Sequence, residues 1–527
     1  MDHRRGRARE VEPRRGSISS SALAASAVVL LTVLASFAAR LWIPPFFDGA
    51  TFPPFPDGLE AVASAQSIAQ DGRFLLHVGP NTVRPRYSPG FPLLLAGFLR
   101  LGLPADRLIL VVATCDAAIA GVAALGALAL MSYLARSDGF GPPSASAWVG
   151  AGLVAGVPFA LAMFPALVGK MLHSDPATNL ATLLALGCGG LALGTSRLRS
   201  RYFALAFVGA LGAWVLTARP IDGVLLGVGS LPLMWRAIRT WSRQELLVSS
   251  WVLLAGALVP VLFTLGLLVA SGLSPLHWTG YAFWLPELFE HPHRIFGIRF
   301  ALQPSGYPVL GGGPAPGVLV SSSMLLGIPK GVGLGWAWPT LGWVALYIAR
   351  RRIEQLPRTS ASEAVRALLA AGLLWSLARA LFFPFYFYPS ERFYLGPLAL
   401  VAAGTGFAVG VLWNHSRRSL RLAALLLLAG ILWDSWSSLA LRLADHREKP
   451  ESSRPRLLAE FEAWKELTPQ QRRQRRMPFD PLQAQALGSL DRESIEGMQG
   501  WGRLPETYHF QTLRRLGVIQ AEPRRRP

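Results

Sequence analysis

The chain has 527 residues, 52% of them hydrophobic and only 16% charged, with a formal net charge of +20. A soluble globular domain carries about a quarter charged residues, so this composition excludes one and points to an all-α polytopic membrane protein. The positive surplus does not indicate nucleic acid, because the arginines sit in short clusters at the ends of apolar runs, which is how membrane topology is written.

Residues 1–20 read as a basic cytoplasmic tail. The apolar run 22–43 that follows is too long for a signal-peptide core and lacks a small-residue cleavage site, so it is expected to be an uncleaved first span running outward. A first outer loop, 44–104, carries PDGLEAVASAQSIAQDGRF and then RPRYSPGFPLLLAG. It predicts a helix over 58–70 and, at 89–101, an apolar segment too short to cross a bilayer. Spans are expected at 105–134, 145–168 and 178–195, the last returning to the cluster Arg197, Arg199 and Arg201. As one helix the run 202–235 would be about 50 Å long, more than a bilayer core. Both its ends carry arginine clusters, so it reads as two short spans broken at Thr217-Ala218-Arg219-Pro220, where proline stops one helix and opens the next. Beyond a span at 246–270 lies a long outer loop, 271–330, containing His291-Pro292-His293 and a glycine-rich stretch at 311–317. Further spans follow at 331–349, 364–383, 395–413 and 420–440, with an aromatic segment, Phe382 to Phe387, read as an interfacial belt. The sum is about 11 transmembrane helices over 21–440, and a small C-terminal extracytoplasmic region, 441–527. Cys115 and Cys188 lie inside apolar runs, so no disulfide framework is indicated.

Charged groups crowded against a bilayer are costly unless they are used. Asp57 and Glu60 stand three apart at the start of the predicted 58–70 helix and share a face. They read either as a general base with a companion carboxylate, or as an Asp-x-x-Glu capping box. Asp175, in HSDPATN, is a helix-start cap or a site carboxylate. His173 with Asp57 or Glu60 offers ligand types for a divalent metal ion, although no local ligand spacing supports one. Arg219 and Arg392 lie beside outer helix ends, where a phosphate is the natural partner of a guanidinium. The alternatives are internal ion pairs, Arg219 with Asp222 or Arg392 with Glu391, or snorkelling to headgroups. Arg84 and Arg86 bind a phosphate or meet lipid headgroups.

The order of motifs resembles the C-type (GT-C) integral-membrane glycosyltransferases, in the protein mannosyltransferase and aminoarabinose transferase branch, particularly its bacterial lipopolysaccharide-glycosylating members. The resemblance rests on Asp57-Gly58 opening an Ala-rich helix, Gly72, Tyr87-Ser88-Pro89-Gly90-Phe91-Pro92, Ser174-Asp175-Pro176, Thr217-Ala218-Arg219-Pro220 and Glu391-Arg392-Phe393-Tyr394-Leu395-Gly396-Pro397, over roughly residues 20–415. It implies transfer of a sugar, with inversion, from a polyprenyl-phosphate-linked donor to a lipid, glycan or protein acceptor. The expected place is the extracytoplasmic face of the inner membrane, among membrane lipids. By this resemblance Asp57 is the first candidate for the catalytic base, with Glu60 second, and Asp175 faces the same cavity. The chain departs from the family pattern at Ala61, where members often carry an aromatic residue. The other class of reading is a lipid-linked-sugar flippase or transporter without catalysis. A transporter should show repeated halves, and no internal repeat is visible here.

Overall fold

The computed structural model describes residues 20–42, 56–78, 81–83, 85, 87–137, 143–161, 173–279, 292–294, 296–304, 315–326, 338–386 and 390–448, with 463, 466–468 and 471. In chain order the elements are α1 (Ser20–Trp42), α2 (Pro56–Asp71), β1 (Leu76–Val78), β2 (Asn81–Val83), α3 (Gly90–Arg100), α4 (Ile109–Ser137), α5 (Ala145–Leu161), α6 (Asp175–Gly194), α7 (Leu198–Ala218) and α8 (Pro220–Thr240). They continue with α9 (Arg243–Ala270), α10 (Ile298–Leu302), α11 (Gly317–Leu326), α12 (Trp338–Gln355), α13 (Ser360–Phe382), α14 (Leu395–Asn414) and α15 (Arg418–Glu448). Among the described residues the fold is helical apart from a hairpin between α2 and α3, where Leu76 pairs with Val83 and Val78 with Asn81, and an isolated bridge between Phe296 and Tyr386.

Among the described residues, 7 helices are long and apolar enough to cross a membrane, namely α4, α6, α7, α8, α9, α13 and α14. The chain is therefore a multi-pass membrane protein. Helices α1, α5, α12 and α15 overlap the other four expected runs without meeting that criterion, and α12 starts at Trp338 where a span over 331–349 was expected. The long apolar run is two helices, α7 and α8, joined through Arg219. Proline has no N–H to continue the α7 ladder, while its fixed φ suits the first turn of α8.

A helix that is apolar all round must lie either in a core or against lipid. Both cases occur here. Helix α14 is enclosed, with Ala399, Val401, Ala402, Ala403 and Val409 buried against α4, α5 and α12. Helix α9 packs mainly on α7 and leaves Trp251, Leu254, Leu258 and Phe263 exposed. The described parts of the segment after α9 are anchored on the rest of the chain. The Phe74 N–H donates to Ser271 Oγ at 2.6 Å, and His277 Nε2 lies 2.8 Å from the Pro85 carbonyl. Farther on, the Gly297 N–H donates to the Phe385 carbonyl at 3.1 Å, and Ser321 on α11 hydrogen-bonds the Tyr394 hydroxyl.

Candidate functional site

Helix α6 starts at Asp175, with Pro176 in its first turn; Ser174 occupies the cap position and makes no side-chain cap bond there. The Asp175 carboxylate is buried and turns away from its own helix end to meet two arginines. It forms an ion pair with Arg219, and its Oδ2 lies 3.6 Å from Arg392 Nε. Arg219 is the one residue between α7 and α8, in extended conformation, so its side chain projects from the break rather than along either helix. Its Nε also lies 3.7 Å from Asp222 Oδ2, one turn into α8.

Asp222 is fully buried. Its Oδ1 accepts from Arg379 Nη2 at 2.5 Å and its Oδ2 from the Thr178 hydroxyl at 2.9 Å. Arg379, near the end of α13 and also fully buried, donates through Nη1 to the Phe393 carbonyl. Arg392 Nη1 donates to His173 Nε2 at 2.6 Å, which requires that ring nitrogen to be unprotonated. Aromatic rings underlie all three guanidiniums. Arg219 and Arg392 lie 4.6 and 5.4 Å from the centroid of Phe393, and Arg379 lies 4.9 Å from Trp375. Guanidiniums stay protonated, so these three arginines face two carboxylates and the cluster keeps one surplus positive charge. Arg219 and Arg392 are the open side, with side chains 12% and 13% exposed against 0% for Arg379.

The segment with α2 and α3 docks on the same end of the bundle. The α3 N-terminus lies directly on the α7 C-terminus, where a Cβ on Gly90 would come within 2.6 Å of the Ala218 backbone nitrogen. Trp214 Nε1 donates to the Gly90 carbonyl at 3.2 Å. Ala61, Ala65 and Ile68 of α2 share one apolar cluster with Phe91 and Leu95 of α3, Ala177 of α6 and Ala218 of α7. Ala61 thus fills a packed helix contact, which accounts for a small residue there. The buried Glu60 carboxylate accepts the Tyr87 N–H at 3.2 Å and ties α2 to the turn before α3.

No protein-family model matches the chain, and no curated protein sequence matches it. Among solved structures it is similar to ArnT from Cupriavidus metallidurans in the apo state, at 14% identity and a TM-score of 0.48, over 84% of this chain and 80% of that one. It is similar to ArnT bound to undecaprenyl phosphate at 15% identity and 0.47, over 84% and 81%. Arabinosyltransferase EmbB from Mycobacterium smegmatis is similar at 16% and 0.36, over 85% of this chain and 43% of that one.

Of the expected site residues, Asp175, Arg219 and Arg392 meet in one cluster, and Glu60 belongs to the loop docked beside it. Asp57 lies in the first turn of α2. Arg84, Arg86 and the side chain of Asp57 lie outside the described residues. His173 rests on Arg392, and among the described residues no three His, Cys, Asp or Glu side chains gather as a metal site. His293 lies in an exposed turn. The aromatic segment expected as an interfacial belt divides between buried and exposed rings. Phe383 is buried and stacks on Phe393 at 4.3 Å, beneath the charged cluster, whereas Phe385 is exposed and Phe387 lies outside the described residues.

Sequence reasoning missed Arg379, Thr178 and Asn179. The first had a legible signal, an arginine inside the apolar span 364–383, where an ionisable group calls for a partner. Asn179 had none; its amide bridges the Asp175 carbonyl at 2.7 Å and the Gly396 N–H at 3.1 Å, a contact made only by folding.

Proposed function

We propose that the chain is an integral-membrane glycosyltransferase of the GT-C type, transferring a sugar from a polyprenyl-phosphate-linked donor to a lipid, glycan or protein acceptor. The observation that carries this reading is convergence. Ser174-Asp175-Pro176, Thr217-Ala218-Arg219-Pro220 and Glu391-Arg392-Phe393 are far apart in the chain, yet Asp175, Arg219, Arg392 and Phe393 touch one another. Tyr87-Ser88-Pro89-Gly90 joins them through the contact of Gly90 with Thr217 and Ala218.

The clusters Arg197 to Arg201, Arg236 to Arg243, Arg350 to Arg352 and Arg417 to Arg418 lie at the helix ends where α6 is followed by α7, α8 by α9, α12 by α13 and α14 by α15. The site lies where α7 meets α8 and α13 meets α14, hence at the other end of each of these helices. By the positive-inside rule that end is extracytoplasmic. In this reading residues 1–20 are cytoplasmic, eleven spans occupy 21–440 and residues 441–527 lie outside the inner membrane.

In the reaction, Arg219 and Arg392 hold the donor phosphate, assisted by Arg84 and Arg86 from the first outer loop. The acceptor hydroxyl or amine attacks the anomeric carbon from the face opposite the phosphate, so its configuration inverts. The bond from that carbon to the phosphate oxygen breaks and its electron pair stays on the phosphate. Preorganised guanidiniums stabilise that developing charge without reorganisation. The acceptor proton passes to Asp57. Glu60, held by the Tyr87 amide, keeps α2 in register with the turn; Asp175 holds the two arginines in place.

The test is binding of undecaprenyl phosphate to the full chain in nanodiscs. A charge-assisted hydrogen bond is worth about 1.5–3 kcal/mol, so Arg392→Ala should weaken binding by about tenfold or more. Arg392→Lys should recover only part of this, because an ammonium cannot reproduce the fork. An unchanged affinity in both variants, with normal folding, would refute the donor-phosphate assignment.

A further inference from the structure

We propose that the buried Arg379–Asp222 pair is the positioning element of the donor site. This rests on the reading of Arg219 and Arg392 as phosphate ligands and adds a role for two residues that the substrate does not reach. Arg379 and Asp222 are both fully buried, so neither is available to a ligand. Their presence in an apolar bundle also calls for a reason. Desolvation offsets most of the attraction within a buried ion pair, and apolar residues of similar volume often serve stability as well or better.

The reason lies in what the pair holds. Arg379 stands on α13 and uses its two terminal nitrogens on two different segments, Nη2 on Asp222 of α8 and Nη1 on the Phe393 carbonyl. The Phe393 carbonyl belongs to the residue next to Arg392, in the short turn Glu391–Tyr394 that precedes α14. Asp222 in turn accepts from Thr178 of α6, three residues after Asp175, and lies 3.7 Å from Arg219 Nε. One guanidinium and one carboxylate therefore tie together the three segments that carry Asp175, Arg219 and Arg392. Trp375 and Phe383, with ring centroids 4.9 and 5.5 Å from Arg379, fix its plane. Only a fork serves here, since a lysine ammonium is a point charge with no rigid pair of donors to divide between two segments.

The experiment compares the full chain with the double variant Arg379→Met, Asp222→Leu, and with Arg379→Lys, in nanodiscs, using undecaprenyl phosphate as the probe and measuring affinity and melting temperature together. A purely structural pair predicts lower melting and unchanged affinity in the folded fraction. Positioning predicts that the apolar double variant melts at or above the parent temperature. It also predicts an affinity about tenfold or more weaker, as when a supporting partner behind a ligating side chain is lost. Arg379→Lys should fold and bind with a similar deficit. Parent-like affinity in the double variant would overturn the proposal; if that variant does not fold, parent-like affinity in Arg379→Lys would do so. Arg392→Ala is run alongside. A parent-like affinity there removes the donor-phosphate reading itself, whereas a loss there with none in the Arg379 variants removes only the positioning role.

Discussion

Asp57 and Glu60 stand one turn apart on α2. Glu60 is committed to the Tyr87 amide, and a carboxylate tied to a backbone donor makes a poor base. Asp57 lies in the first turn of that helix, and asparagine serves a helix start as well as aspartate does. Asp57→Asn is nearly isosteric and should leave folding unaltered while lowering transfer by about 10²–10⁴-fold, the usual contribution of a general base. Glu60→Gln, which keeps an oxygen acceptor for the Tyr87 N–H, should retain most activity. Mass spectrometry of envelope lipids and glycans from cells producing each variant reads both; near-normal transfer by Asp57→Asn would rule out the base. At this scale the sequence shows which residues are unusual: an ionisable group at membrane depth is legible by its type alone, as Arg219 and Arg392 were. Their partners are less legible. The Arg219–Asp222 contact is three residues apart and could be read, but Arg379 and Asp222 are 157 residues apart and only packing brings them together.

Helix α3 offers a contrast within one element. Gly90, at its start, faces the Thr217 and Ala218 backbone at 2.6–2.7 Å, where an added methyl group has no room. Gly97, seven residues on, has nothing within 4 Å of its ideal Cβ position and is exposed. Gly90→Ala should therefore cost about 1–3 kcal/mol by overpacking. It should also push α3 off the α7 end and weaken transfer. Gly97→Ala should stabilise the chain by about 0.5–1 kcal/mol, because alanine loses less backbone entropy in a helix than glycine. Thermal unfolding of the purified protein in one detergent reads both signs, and a fall in melting temperature for Gly97→Ala would contradict the packing argument. The α7–α8 break was legible because proline acts locally on its own φ and on its missing N–H. The β1–β2 hairpin was not, since its strands are three residues each and carry no strong alternation.

For the whole molecule, the proposed topology has a direct test in a background without Cys115 and Cys188. A cysteine at Ser196, in the exposed link between α6 and α7, should react with a membrane-impermeant maleimide only after the inner membrane is opened. A cysteine at Ser453 should react in intact spheroplasts, and the reverse pattern would invert the molecule. Sequence alone determined the class of protein, the positions of most spans, the kinked run at Arg219 and the residue types of the candidate site. Each of these follows from transfer free energies and backbone rules that act over twenty residues or fewer. Tertiary structure decided that Asp175 takes Arg219 and Arg392, that Arg379 and Asp222 stand behind them, and that Phe383 turns inward to stack on Phe393. In a bilayer apolar helices have no hydrophobic preference for one neighbour over another, so which faces meet is set by small-residue packing and by pairing of buried polar groups across distant segments.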